Sequence, residues 1–167
     1  YSMIAGAKIL EGDDKILITD WLAEDLGLKA GDSIELDYFV MGLGRELEEK
    51  TSQFIVGTET PFKVSDPSVD PKWTPAFPGI AEAENNADWE PGMPFFKEWL
   101  RKKDEDYWDD HNATPKAFVS LSAAQEMWAN RFGNLTSIQF AAEDFSSVED
   151  FEAQLREQIS FADFGIV

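Results

Sequence analysis

The chain has no cysteine and only one histidine, His111, in 167 residues. It therefore lacks a disulfide framework, a thiolate nucleophile and any cysteine-held zinc or iron–sulfur centre. A single histidine excludes HExxH zinc chemistry, and no GxxxxGK run followed by Ser or Thr is present to build a P-loop. Basic residues are scarce. Lys plus Arg number 14 against 33 Asp plus Glu, a formal charge of −19. Recognition of a phosphate backbone needs clustered cations, so nucleic acid is excluded as a partner. Anionic membrane surfaces are disfavoured for the same reason. No apolar run approaches the roughly 18 residues that a membrane span requires. No signal-peptide pattern precedes the first strand-like segment. The chain opens on Tyr1 rather than Met, which sets the expectation of an excised piece of something longer.

What is present is enough for one core. Apolar residues make up 43% and aromatics 13% of the chain, too much for intrinsic disorder despite the charge. All eight prolines fall between positions 61 and 115. Proline fixes φ and removes a hydrogen-bond donor, so regular ladders are expected outside that stretch. The expectation is one domain with a core of residues 1–60 and 116–167 and an insertion at 61–115. Four of the six tryptophans lie in the insertion (Trp73, Trp89, Trp99, Trp108), so it is expected to be ordered and held by its rings.

The local signals give a mixed α+β fold with hairpins and three or four short amphipathic helices. Lys15–Ile18 is a short apolar strand. Thr19 or Asp20 caps a helix over 21–26, and Gly27 fits its left-handed terminus. Ser33–Met41 alternates Ile34, Leu36 and Tyr38 against Glu35 and Asp37, a half-buried strand. Thr51–Val56 returns, with Glu46, Glu48, Glu49 and Lys50 around the hairpin tip. A further helix is expected within 95–108. Lys116–Leu121 is a strand, and Ser122 with Gln125 forms a capping box for a helix to Phe132, ended by Gly133. Leu135–Ala142 reads as a strand. Ser146 with Glu149 caps a last helix whose apolar residues Val148, Phe151, Leu155 and Ile159 share one stripe.

Three stretches, in this order and spacing, carry a family pattern. They are ILITDWLAEDLGLKAGDSIEL at 16–36, SQFIVG at 52–57 and PKAFVSLSAAQ at 115–125, the last followed by LTSI at 135–138. Together they resemble the extracytoplasmic (MacB-like periplasmic core) domain of FtsX-like ABC transporter permeases over roughly 15–60 and 115–160. The proline- and tryptophan-rich middle looks like an insertion carried by a subset of such permeases. The resemblance implies a non-catalytic outer domain with no cofactor. Its partners would be its own transmembrane helices, a separate ABC ATPase subunit or domain, and a periplasmic partner protein. It implies a parent protein in the cell inner membrane with this domain on the extracytoplasmic side. The last helix, 146–159, would then be a lever towards the next span. LGLKAGDSIEL also resembles the swapped-hairpin AbrB-type transcription factors, but a chain of this length and acidity does not suit DNA binding.

Candidate contact residues for a partner or substrate are Trp73, Phe77, Trp89, Phe95 and Phe96, because aromatic rings dominate binding hot spots; the plainer reading is that they pin the insertion to the core. Asp104, Asp106, Asp109 and Asp110, with Glu105, offer clustered oxygens for Ca²⁺, yet EF-hand spacing is absent and a solvated acidic face explains them. Those residues and the tryptophans also leave open a secreted carbohydrate- or calcium-binding module. His111 beside Asp109 and Asp110 has the makings of a general base, and the plainer reading is an exposed histidine. Glu82, Glu84, Asp88 and Glu90 contain possible glycosidase pairs, but carboxylate pairs arise by chance in a chain this acidic. Gly42 and Gly44 bracket a hairpin loop rather than a phosphate cradle.

Overall fold

A computed structural model describes residues 2–7, 12–42, 46–58, 63, 80, 83, 88–89, 94–131, 133–138, 140 and 142–159. Two compact units divide the chain, Tyr1–Thr136 and Ser137–Val167. Unit 1 is built on a five-stranded mixed sheet in the order β1-β5-β2-β4-β3. Its strands are β1 Ile4–Ala7, β2 Lys15–Ile18, β3 Ser33–Met41, β4 Leu47–Val56 and β5 Ala117–Ser120. The pairs β1–β5 and β2–β4 are parallel, while β2–β5 and β3–β4 are antiparallel. With α1 Asp20–Leu26, α2 Lys102–His111 and α3 Leu121–Trp128, this is an α+β fold, as the sequence pattern indicated.

Period-two alternation sorts the side chains onto two faces. Ile16 and Ile18 of β2 share a face with Ala117 and Val119 of β5 and with Phe54 and Val56 of β4. Leu22 and Ala23 of α1 and Ala123 and Met127 of α3 cover that face and complete the main core. Leu17 and Phe118 point the other way and cluster with Ala5 and Ala7. The segment between β2 and β3 folds as its residues dictate. Thr19 accepts a hydrogen bond from the Leu22 N–H at 3.2 Å and so caps α1. Gly27, at φ 67°, takes the left-handed position that ends it. Leu28 then bonds back to the Ala23 carbonyl at 3.0 Å and packs on the core.

Several expectations need correction. The strand β4 begins at Leu47, so Glu48, Glu49 and Lys50 belong to the ladder opposite Val40, Phe39 and Tyr38 rather than to a hairpin tip. A nine-residue β3 supplies partners for them, and their charges stay exposed beyond the sheet. The helix after β5 is capped by Ser120, not Ser122: Ser120 Oγ accepts from the Ala123 N–H at 3.0 Å. It stops at Trp128 because Asn130 Nδ2 reaches back to the Trp128 carbonyl at 3.3 Å and a tight turn joins Asn130 to Gly133. Residues 135–138 and 140 are not strand, and Leu135, Ile138 and Phe140 are exposed. The alternating pattern there straddles the boundary between the two units, where the described residues offer it no ladder. The helix expected within 95–108 is present as α2, which starts at Lys102 and runs on to His111, with a 3₁₀ turn, Lys97–Trp99, before it.

One strand was missing from the sequence reading. β1 is only four residues, IAGA, and is defined by its partner β5. Gly6 is required there, because a Cβ at this position would overlap Ala124 Cβ of α3.

Unit 2 contains a 3₁₀ turn at Ala142–Asp144 and α4 Val148–Gln158. Ser147, one residue later than expected, caps α4 by accepting from the Asp150 N–H at 3.2 Å. Ser146 instead donates its hydroxyl to Asp150 at 2.8 Å. Phe140, Phe145 and Phe151 form a three-ring cluster with centroids 4.9–6.1 Å apart.

Candidate functional site

The densest arrangement of charge among the described residues lies where α1, α2 and the start of β5 meet. Trp21 and Asp25 are four apart on α1 and so share a face. Asp104 and Tyr107 are three apart on α2 and turn inward together. Lys116 lies just before β5. Its N–H donates to the Met3 carbonyl at 2.9 Å, and its carbonyl accepts from the Thr19 N–H at 3.0 Å. With its backbone held on both sides, the Lys116 side chain is directed inward and is only 6% exposed.

The Lys116 ammonium lies 3.7 Å from the Trp21 ring centroid, 4.4 Å from that of Tyr107 and 3.5 Å from Asp104 Oδ1. Trp21 and Tyr107 meet edge to face at 5.1 Å, so the two rings form a corner around the cation. Tyr107 is fixed by donating its hydroxyl to the Thr114 carbonyl at 2.9 Å. Arg101 holds the other side of Asp104 with Nε at 2.8 Å and Nη2 at 2.9 Å. The same guanidinium reaches Asp25 with a second fork, at 3.0 and 2.8 Å. Lys103 also pairs with Asp25. Three cations and two carboxylates thus tie α2 to α1 and to the root of β5.

The environment separates the titrations. Burial raises the Asp104 carboxyl, but the Arg101 side chain, the Lys116 charge and the Arg101 backbone N–H outweigh it and bring it down to about 2. Burial also pushes the Lys116 amine down to about 8, against the opposing pull of Asp104. Burial raises the Tyr107 hydroxyl above its ordinary range. A lysine with a depressed pKa is often a nucleophile or base. Here, two rings and a carboxylate surround the amine, and the arrangement acts as a clamp.

A second polar cluster links the turn before β2 to α3. Asp13 accepts from the Ser120 hydroxyl at 2.5 Å and from the Ser122 hydroxyl, and both bonds lower its pKa. Ser120 caps α3 with the same oxygen. Among the described residues the partners of these hydroxyls are Asp13, each other and the Ala123 N–H, and they tie the turn to the helix.

The sequence-derived candidates fall in different places. Trp73 and Phe77 lie outside the described residues, as do Glu82, Glu84, Glu90 and Gly44. Trp89 is buried with Ile80 and Trp108, and Phe95 packs partly against them. Trp89 meets Trp108 at 5.0 Å and Phe95 at 5.6 Å, which is how rings pin this segment. Phe96 is exposed and stacks at 4.7 Å on Trp99, itself 67% exposed. Of the acidic candidates, Asp104 is held in the clamp and Asp106 accepts from Lys102 at 2.6 Å. Asp109 and Asp110 are exposed on the last turn of α2. Among the described residues, no three His, Asp or Glu side chains converge to hold a metal ion. His111 ends α2, half-buried, with its ring 5.0 Å from Tyr107. Sequence reasoning missed Asp25, Arg101 and Lys116. The one available signal was Lys116 itself, a cation at the mouth of an apolar strand.

No family model, curated protein or solved structure matches the chain. Among the described residues, no helix is long and apolar enough to cross a membrane.

Proposed function

We propose that the chain is the non-catalytic outer domain of an FtsX-like, ABC-type permease, coupling the motion of transmembrane helices to the handling of a substrate or a partner protein. One observation supports this reading above the others. The three stretches that carry the resemblance, far apart in the chain, come together around a single core. Residues 16–36 supply most of β2, all of α1 and the start of β3, residues 52–57 the end of β4, and residues 115–125 supply β5 and the first half of α3. They interlock through Ile16 opposite Val119 and Ile34 opposite Phe54, and they close one core. Coupling needs a body that moves as a unit rather than deforming, and a sheet braced by the Lys116 clamp meets that need. In this reading α4 is the lever that continues towards the membrane, and the domain lies on the extracytoplasmic side of the inner membrane.

The 167 residues hold no cysteine, so a single one can be placed in them, with any cysteine elsewhere in the gene product replaced by serine. Glu49→Cys, at an exposed position of β4, is introduced into the full-length gene product in its own cells. A membrane-impermeant maleimide is expected to label Cys at this position in intact cells to the same extent as after permeabilisation. Labelling that requires permeabilisation of the inner membrane would place the domain in the cytoplasm and end the proposal.

A further inference from the structure

β3 is the last strand in the order of the sheet and, among the described residues, pairs with β4 alone. The pairing runs from Ser33 opposite Ile55 to Met41 opposite Leu47 without a break in register, so no bulge twists the edge away. In an antiparallel ladder, alternate residues turn their N–H and C=O groups away from the partner strand. Every second residue of the nine in β3 therefore presents its backbone donor and acceptor at the outer edge. Edge strands are guarded by proline, bulges and charged side chains. SIELDYFVM has no proline and no lysine, and its charges are the two carboxylates of Glu35 and Asp37, which repel an acidic strand and accept a basic one.

The two faces of β3 specify what would fit beside it. On the core side Ile34, Leu36 and Tyr38 are half-buried and pack on the main core, leaving apolar surface at the rim of the sheet. On the other side Glu35 and Asp37 are exposed. Their carboxylates accept from Gln53 at 2.9 Å and Thr51 at 2.5 Å across the ladder, so both are held in place with no cation partner among the described residues. Glu49 is on the same side one strand further in. An added strand would meet apolar surface on one face and fixed negative charge on the other.

We infer that the β3 edge is a strand-addition site for an extended segment of a partner protein in which apolar residues alternate with Lys or Arg. Main-chain hydrogen bonds to β3 supply the attachment. The apolar residues extend the Ile34–Leu36–Tyr38 row, and the basic residues meet Glu35 and Asp37, an arrangement that favours opposite charges across a ladder. A second copy of this chain is the wrong occupant, because β3 against β3 brings two acidic rows together. The inference is independent of the permease reading and holds for any partner of that chemistry.

The probe is a nine-residue peptide alternating lysine and valine, titrated into the 167-residue chain by fluorescence anisotropy, with backbone hydrogen exchange as the second readout. Binding is expected together with added protection of amides in 33–41. A glutamate–valine peptide is expected to bind at least tenfold more weakly. A lysine–valine peptide with a central proline is also expected to lose at least tenfold, since it cannot complete the ladder. The double substitution Glu35→Lys with Asp37→Lys, at exposed positions, is expected to weaken the basic peptide by at least tenfold without altering the circular dichroism of the chain. Three results would overturn the inference: equal affinity for the proline-containing peptide, protection elsewhere than 33–41, or self-association of the chain through the same amides.

Discussion

Asp104→Ala is expected to destabilise the protein by about 3–5 kcal/mol, the cost of leaving a buried charge without its partner. Removing the carboxylate leaves the Lys116 ammonium covered by the Trp21 and Tyr107 rings with no other salt-bridge partner among the described residues. It also strips Arg101 of one of its two forks. Lys116→Met is the milder change. The methionine stem still fills the corner between the rings, and Asp104 keeps its two hydrogen bonds from the Arg101 guanidinium. The double variant should recover much of the loss of Asp104→Ala, because a buried pair replaced by apolar groups is close to neutral. Urea unfolding checks this order through midpoints compared at constant slope. A loss below about 1 kcal/mol for Asp104→Ala would mean that the pair behaves as a solvated surface ion pair.

The same site gives a pH signature with a definite sign. Asp104 titrates near 2 in the folded chain against an ordinary value of 3.8, so its contribution is present above 3.8 and is lost as the pH falls through about 2. Lys116 titrates near 8 against an ordinary 10.5. Between those values the unfolded chain binds more protons than the folded one, so this lysine makes stability rise with pH across 8 to 10.5. Below 8 the burial cost of the charged amine is fully present. In Lys116→Met the alkaline rise should disappear.

Phe118→Ala is the second large effect, expected at about 3–5 kcal/mol. Phe118 is fully buried on the face of the sheet opposite the main core. Its buried neighbours in that cluster are Ala5, Ala7 and Leu17. Phe118→Leu retains most of the volume and should lose about 1 kcal/mol. A Phe118→Ala midpoint shift no larger than that of Phe118→Leu would show that the face relaxes around the gap.

Much of the fold was legible because its elements carry local signals that agree with their tertiary role. Residues 33–38 alternate strictly, and β3 carries on from them to Met41. Thr19, Leu22, Leu26 and Gly27 mark both ends of α1. Lys116–Leu121 contains β5, with the helix following directly. The failures have a shared cause: the deciding partner lay elsewhere in the chain. β1 is too short and too poor in large side chains to announce itself, and only β5 and the close approach of Ala124 define it. The alternation of 135–142 looked like a strand, but Phe140 was recruited into a ring cluster with Phe145 and Phe151. Glu46, Glu48, Glu49 and Lys50 were read as a solvated tip because nothing local shows that β3 needs a partner along its whole length.

The clamp was the least legible feature. Asp25, Arg101 and Lys116 are separated by 76 and 15 positions, and an excess of carboxylates hides the two that matter. Asp104 was noticed for the wrong reason, as one oxygen in an acidic run. Its neighbours Asp106, Asp109 and Asp110 remain at the surface, while Asp104 is drawn in by being three residues from Tyr107 on α2 and adjacent to Arg101 and Lys116. Of the aromatic candidates, Trp89 and Phe95 went to packing and Phe96 stayed at the surface with Trp99. Sequence spacing alone does not sort rings that pin a segment from rings that face a partner.

The central claim is that this chain belongs to a membrane permease driven by an ABC ATPase, and purification of the full-length gene product tests it most directly. An affinity tag on the protein in its own cells, fractionation with and without detergent, and mass spectrometry of the eluate are sufficient. The account predicts that the protein is released only by detergent and elutes with an ABC ATPase, as a stoichiometric subunit or within the same polypeptide. Release into buffer or culture medium without detergent, with no ATPase in the eluate, would contradict it.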